Sequence, residues 1–260
     1  MSSIHVHAVQ FDIVWENKAA NFQKVRALVD AARPAPGSLV VLPEMFASGF
    51  SMNLAATRQQ AEREDEAFLA ALARDHDVFV CGGVVSPGRE EKGRNESVLI
   101  SPTGVLLARY TKIHPFSLGG ETAGHEFGAE IVTAEWGGFT VAPFVCYDLR
   151  FPEIFRAAAL RGANLFVVIA LWPAKRQQHW LTLLQARAIE NQAYVVGVNR
   201  IGVEPNYHYA GRSVVVDPHG VIIADAGERE QVLTAAIDPE VVNAWRRDFP
   251  ALRDAHWTDR

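Results

Sequence analysis

Cysteine is almost absent from this chain: 260 residues contain only Cys81 and Cys146. Two thiols allow at most one disulfide, which excludes a disulfide-built scaffold and fits a reducing compartment. Nine histidines occur, but no His-Glu-x-x-His and no Cys-x-x-Cys, so the common zinc-ligand spacings are missing. Long apolar runs are missing too. The longest, Ala163 to Pro173, is broken early by Asn164 and is too short to span a bilayer. The opening residues Met1-Ser-Ser-Ile-His-Val-His7 lack the basic and apolar regions of a signal peptide. Without that route, the sequon Asn95-Glu-Ser97 does not meet the glycosylation machinery. Positive charge is not in excess: 25 Lys and Arg against 30 Asp and Glu leave a net charge of −5. That balance offers no surface for nucleic acid or an anionic membrane. Gly-x-Ser-x-Gly, P-loop and dinucleotide fingerprints do not occur. The absences predict a cytoplasmic protein with no cofactor, no metal, and no nucleic-acid or membrane partner.

What is present is an ordinary globular composition, 49% hydrophobic and 21% charged, in a chain long enough for one substantial core. Strands are predicted over 4–12, 38–42, 77–85, 139–145, 165–170 and 193–198. Helices are predicted over 17–32, with Asn17 as N-cap, and over 62–76, 152–161 and 177–192. Two hairpins look alike, Ser101-Pro-Thr-Gly-Val-Leu-Leu-Ala and Asp217-Pro-His-Gly-Val-Ile-Ile-Ala. The order β, α, β, α, β and paired strands therefore occurs twice. This pattern predicts an α/β fold, a four-layer α-β-β-α sandwich of two pseudo-repeated halves in one domain spanning 1–260. The segment 239–260 is expected to pack on the core or on a partner subunit. Residues 112–136 show little periodicity and four glycines, the mark of a long functional loop.

Three apolar strands each end on a reactive side chain. Leu39-Val-Val-Leu-Pro-Glu44 presents a carboxylate, Leu106-Leu-Ala-Arg-Tyr-Thr-Lys112 an amine, and Val141-Ala-Pro-Phe-Val-Cys146 a thiol. Strand ends of neighbouring strands converge on one crevice in α/β proteins. A thiol just before a helix start is also expected to have its pKa lowered. Cys146 is then the nucleophile. Glu44 serves as base if burial raises its pKa, and Lys112 with the Tyr147 N–H holds the oxyanion. A rival arrangement, Cys146–His114–Asp148, imitates a cysteine-protease triad, but Asp148 is two residues from the thiol it would have to serve through His114. Cys81, Arg187 and Glu190 read as structural.

The segments Leu-Pro-Glu44, Thr-Lys112-Ile-His114 and Cys146-Tyr-Asp-Leu-Arg-Phe-Pro-Glu153 resemble, in order, the three signature motifs of the nitrilase (carbon–nitrogen hydrolase) superfamily. Ala170-Leu-Trp-Pro173, the stretch Gln185 to Tyr194 and Asn199-Arg200 extend the resemblance over nearly the whole chain. Within it, Gly-Glu121, Trp-Pro-Ala-x-Arg176 and Phe249-Pro-Ala are similar to the bacterial ω-amidase branch. The resemblance implies a nitrilase-like sandwich, a Glu44–Lys112–Cys146 triad, and dimerisation or a higher homo-oligomer. It also implies a second glutamate near the site, Glu121, and a thioester route from a small carboxylated amide to acid and ammonia. The expected substrates are monoamides of α-keto dicarboxylic acids, 2-oxoglutaramate or 2-oxosuccinamate. Their distal carboxylate calls for arginine, with Arg150 and Arg176 in the right region, although Arg150 has an alternative as the ion-pair partner of Asp148, Glu153 or another buried carboxylate. Phe116, Tyr147 and Trp172 are expected to wall the pocket. Leu171 departs from the polar residue usual before Trp-Pro. Two alternatives stay open: a nitrile or N-carbamoyl amine as substrate, and a non-catalytic scaffold that keeps the fold.

Overall fold

The computed structural model describes residues 4–255. Its first half runs β1 (Ile4–Gln10), α1 (Lys18–Ala32), β2 (Leu39–Val41), α2 (Leu54–Thr57), α3 (Glu64–His76), β3 (Phe79–Pro87), β4 (Gly93–Ile100) and β5 (Leu106–Thr111). A connection containing α4 (Glu121–Gly124) leads to the second half. That half runs β6 (Ala134–Trp136), β7 (Phe139–Val145), α5 (Pro152–Leu160), β8 (Leu165–Ile169), α6 (Gln177–Asn191) and β9 (Tyr194–Val198). It continues through β10 (Ile201–Glu204), β11 (Tyr207–Ala210), β12 (Val214–Val216), β13 (Ile222–Asp225), β14 (Gln231–Ile237) and α7 (Pro239–Asp248).

The strands form two six-stranded sheets, ordered β14-β1-β2-β3-β4-β5 and β13-β12-β9-β8-β7-β6. Each sheet has three parallel strands flanked by antiparallel ones. Pleat alternation explains the layering. Val6, Ala8, Leu39 and Val41 join a buried cluster shared with the second sheet, whereas Val9 and Val40 turn to Val25 and Val29 of α1 and Leu69 and Leu72 of α3. Phe155 of α5 and Trp180 and Leu184 of α6 pack on the second sheet. The result is α-β-β-α, with the pseudo-repeat visible in both strand orders.

The two look-alike turns are closed by the same bonds. Gly104 N donates to Ser101 O at 2.8 Å, and Gly220 N donates to Asp217 O at 2.9 Å. Ser101 Oγ and Asp217 Oδ1 each accept the N–H four residues on. Both glycines have φ near +80°, 80° and 85°, which disfavours any side chain there. Asn17 caps α1, its side chain accepting from Ala20 N at 3.1 Å.

Three features differ from the sequence expectation. β6 forms inside the segment read as loop. β10 and β11 make a separate two-stranded ribbon. β14, from late in the chain, pairs with β1 in the register Ile4↔Ile237. In the second sheet the matching edge position is taken by β6, just before β7. The first sheet is therefore completed by a strand that follows the second, which interlocks the halves. Helix α7 lies against the second sheet's flank, where Arg246 donates to the carbonyls of Ala163, Asn191 and Gln192. Residues 256–260 of the expected terminal segment lie outside the described residues. No helix among the described residues is long and apolar enough to cross a membrane.

Candidate active site

Glu44, Lys112 and Cys146 follow β2, β5 and β7, and all three are buried. Glu44 and Lys112 are completely inaccessible, and Cys146 is 8% exposed at the base of a cleft of about 370 Å³. Lys112 Nζ donates to Glu44 Oε1 at 2.8 Å and to Glu121 Oε2 at 2.8 Å. Burial alone pulls a lysine down, but the charges of Glu121 and Glu44 hold Lys112 well above its ordinary value, so it stays cationic. Burial raises Glu121, yet Lys112 and the Asn95 amide outweigh it and keep that carboxyl below its usual range. Phe116 N also donates to Glu121 Oε2, at 2.6 Å.

Cys146 departs from expectation in one respect. Its thiol is not poised as a thiolate: burial first, then the negative charge of Glu44, push its pKa well above the ordinary cysteine value, and Lys112 offsets this only in part. Residues 146–150 form a 3₁₀ turn, and the α-helix starts only at Pro152, so the helix start does not govern the thiol. Cys146 has φ +47°, a left-handed conformation uncommon for a side-chain-bearing residue. This sharp strand-to-turn bend delivers Sγ to the cleft. Sγ donates to Leu171 O at 3.9 Å, while Leu171 N donates to Glu44 Oε2 at 2.9 Å. The main chain of Leu171 therefore links acid and thiol, which explains why its side chain can depart from a polar type. Asn199 fixes the next residue, its side chain bonding both the N–H and the C=O of Trp172.

Tyr147, Phe116, Trp172, Arg150 and Arg176 all line the cleft. The Tyr147 and Phe116 rings meet at 5.0 Å. Trp172 Nε1 donates to Arg176 O at 2.9 Å. The alternative pairing of Arg150 with Asp148 or Glu153 is not made. Asp148 is fully engaged by Tyr110 OH, Val145 N, and the backbone and ring of His114. Arg150 instead lies 4.8 Å over Trp172 and contacts His179, and Arg176 lies 5.5 Å over Phe116. Neither arginine pairs with a carboxylate among the described residues. His114 bonds Asp148 and stacks on Phe151 at 3.7 Å, a role in supporting the 146–150 turn rather than in contacting the thiol. Cys81 is buried against Ser97, and its thiol is pushed up to about 11 by burial. Arg187 pairs with Glu190 at 3.0 Å, as its helical spacing suggests.

Asn95 was invisible as a site residue. It is buried, and its Nδ2 donates at 2.7 Å to both Glu44 Oε1 and Glu121 Oε1. The position of Asn95 in β4, two residues from buried Ser97 on one pleat face, is the signal a strand register would have supplied. Gly83 gives no signal in the sequence either. A Cβ there would stand 2.6 Å from Glu44 Cα and 2.6 Å from Met45 N. Gly83→Ala is therefore expected to displace Glu44, costing about 1–3 kcal/mol of stability and lowering kcat/KM. The adjacent Gly82→Ala meets only side-chain atoms, of Leu69 at 3.2 Å and Leu42 at 3.6 Å, and is the milder control. Thermal melts and steady-state kinetics of the two variants test this, and equal effects would contradict it.

Fold and site together define an α-β-β-α protein with a buried Glu44–Lys112–Cys146 cluster beside its cleft. The carbon-nitrogen hydrolase family profile matches residues 5–247, and the chain belongs to that family. It is 39% identical to an omega-amidase, YafV, of Yersinia enterocolitica over 98% of this chain and 97% of that protein. It is 31% identical to a 2-oxoglutaramate amidase of Bacillus subtilis over 96% of each. The solved structure of XC1258 from Xanthomonas campestris, a CN-hydrolase superfamily protein with an arsenic adduct in its active site, is 34% identical. It covers 100% of both chains with a TM-score of 0.92.

Proposed function

We propose that this protein is an ω-amidase that hydrolyses the side-chain amide of a small α-keto dicarboxylic acid monoamide, such as 2-oxoglutaramate, to the acid and ammonia. The observation that carries the reading is the cleft itself: Cys146 lines it with Glu44 and Lys112 buried behind, and two arginines on its wall pair with no carboxylate among the described residues. The kinship to amidases of this substrate class supports it.

The chemistry follows from the charges. At rest the thiol is neutral, so its attack on the amide carbonyl is coupled to proton transfer to Glu44. The C–S bond forms as the carbonyl becomes an oxyanion, which Lys112 Nζ and the Tyr147 N–H stabilise. Tyr147 is second in the 3₁₀ turn, so its N–H has no partner within the turn. The tetrahedral centre collapses, the C–N bond breaks, and Glu44 passes its proton to the departing ammonia. Glu44 then draws a proton from water, which attacks the thioester and releases the acid and the thiol. Glu121 acts on Lys112, keeping it charged and aimed.

Arginine recognises carboxylate with paired donors, so substrate affinity rests on Arg150 and Arg176. Arg150→Ala and Arg176→Ala are each expected to raise KM for 2-oxoglutaramate at least about tenfold with a smaller effect on kcat, the loss expected for a charge-assisted hydrogen bond. Their KM for an uncharged amide of similar length should change little. Equal effects on charged and uncharged amides would overturn the assignment of a carboxylated substrate.

A further inference from the structure

The ribbon β10–β11 belongs to neither six-stranded sheet, yet it carries Tyr207 and Tyr209 into the cleft wall. Its position therefore depends on what ties it down. Arg200 is completely buried beneath it and donates to Asp12 Oδ1 at 2.8 Å, Ile13 O at 2.9 Å and Glu204 Oε2 at 2.7 Å. Glu204 uses both of its oxygens. Oε1 accepts from Tyr209 OH, and Oε2 accepts from Phe50 N at 3.3 Å as well as from Arg200. Gly49 approaches so closely that a Cβ would stand 3.0 Å from Glu204 Oε2. One buried carboxylate thus fixes two separate parts of the wall, the loop at Phe50 and the ribbon.

Phe50 and Tyr207 meet edge to face with ring centroids 6.3 Å apart. Both rings line the reaction cleft, and both also line a neighbouring groove of about 790 Å³ bordered by Trp15, Met52 and the 80%-exposed Leu118. We propose that Phe50 and Tyr207 form a partition between cleft and groove that limits the length of the acyl chain accepted, and that Glu204, held by Arg200, is the positioning residue that keeps this partition closed. The inference rests on the cleft being the amide-hydrolysing site. A buried, fully hydrogen-bonded carboxylate resists displacement because moving either wall leaves charged or polar groups unpaired. Releasing it joins the short cleft to the neighbouring groove, where a longer chain can lie against the Trp15, Met52 and Leu118 side chains.

The test uses the full-length protein and reads alkylation of Cys146 by mass spectrometry with two reagents, iodoacetamide and 2-iodohexanamide, which differ in the chain on the acyl side. Glu204→Gln and Tyr207→Ala are each expected to raise the ratio of long-reagent to short-reagent rate at least tenfold, with Glu204→Asp closer to wild type. A role confined to stability slows or speeds both reagents alike, and a ratio unchanged in Glu204→Gln and Tyr207→Ala overturns the proposal. If Glu204→Gln does not fold, the half-buried Tyr207→Ala decides alone. The labelling ratio needs no turnover. Failure to release ammonia from α-keto acid amides, alongside a raised ratio, would discard the ω-amidase reading and leave the partition standing.

Discussion

Cys146→Ala is expected to lower turnover by roughly 10⁶-fold, the loss typical of removing a covalent nucleophile. In the proposed mechanism the thiol forms the thioester, and the remaining oxyanion donors and Glu44 would give only residual hydrolysis by water. The fold should survive. Cys146 Sγ makes one long contact, 3.9 Å to Leu171 O, and alanine at φ +47° is no more strained than cysteine. A melting temperature within a few degrees of wild type, with activity lost, is the expected pair of results. Unfolding of the variant would show that the thiol is a packing element. Retained activity would remove it from the mechanism.

The second large effect concerns Lys112. It is the cation that Glu44 and Glu121 share, and all three are buried. Lys112→Met keeps the aliphatic stem but leaves two buried carboxylates facing each other. Breaking a buried ion pair from one side costs roughly 3–5 kcal/mol. Catalysis should fall as well, by at least the roughly 10²- to 10³-fold typical of one oxyanion donor. The pH dependence has a defined sign. In wild type, Glu121 lies below its ordinary value of 4.5, so its stabilising share is present above 4.5 and is lost as pH falls through the folded value. Lys112 lies above its ordinary value of 10.5, so its share is present below 10.5 and is lost only as pH rises through the folded value. Without Lys112, burial drives Glu121 upward, and that carboxyl becomes easier to bury once protonated. The stability deficit of Lys112→Met should therefore be largest near neutral pH and narrow below about pH 4.5. Denaturant titrations of both proteins across that range measure it, and a pH-independent deficit would contradict the account.

Local signals made much of this molecule legible in its sequence. The Asn17 cap, Pro152 at a helix start, the helical spacing of α6 and the two matching turns depend on neighbours in the chain, and they form where the pattern placed them. β14 and β6 were not legible because pairing across 230 residues, or over three, leaves no periodic trace. The same division holds in the site. Glu44, Lys112 and Cys146 each stand at a strand end, which sequence reveals. Asn95, Gly83 and the Leu171 main chain matter through proximity, which only the packed sheets create. The thiol's state depended on the balance of burial and the nearby charges of Glu44 and Lys112, so a helix start in the sequence gave the wrong sign.

The most direct test is ammonia release by wild type and Cys146→Ala side by side, from 2-oxoglutaramate, 2-oxosuccinamate, glutamine, a simple nitrile and an N-carbamoyl amino acid. The account predicts strong turnover of the α-keto acid amides by wild type, little or none of the other three, and loss of that turnover in Cys146→Ala. Turnover that persists in Cys146→Ala, or wild-type activity confined to the nitrile or the carbamoyl compound, would contradict it.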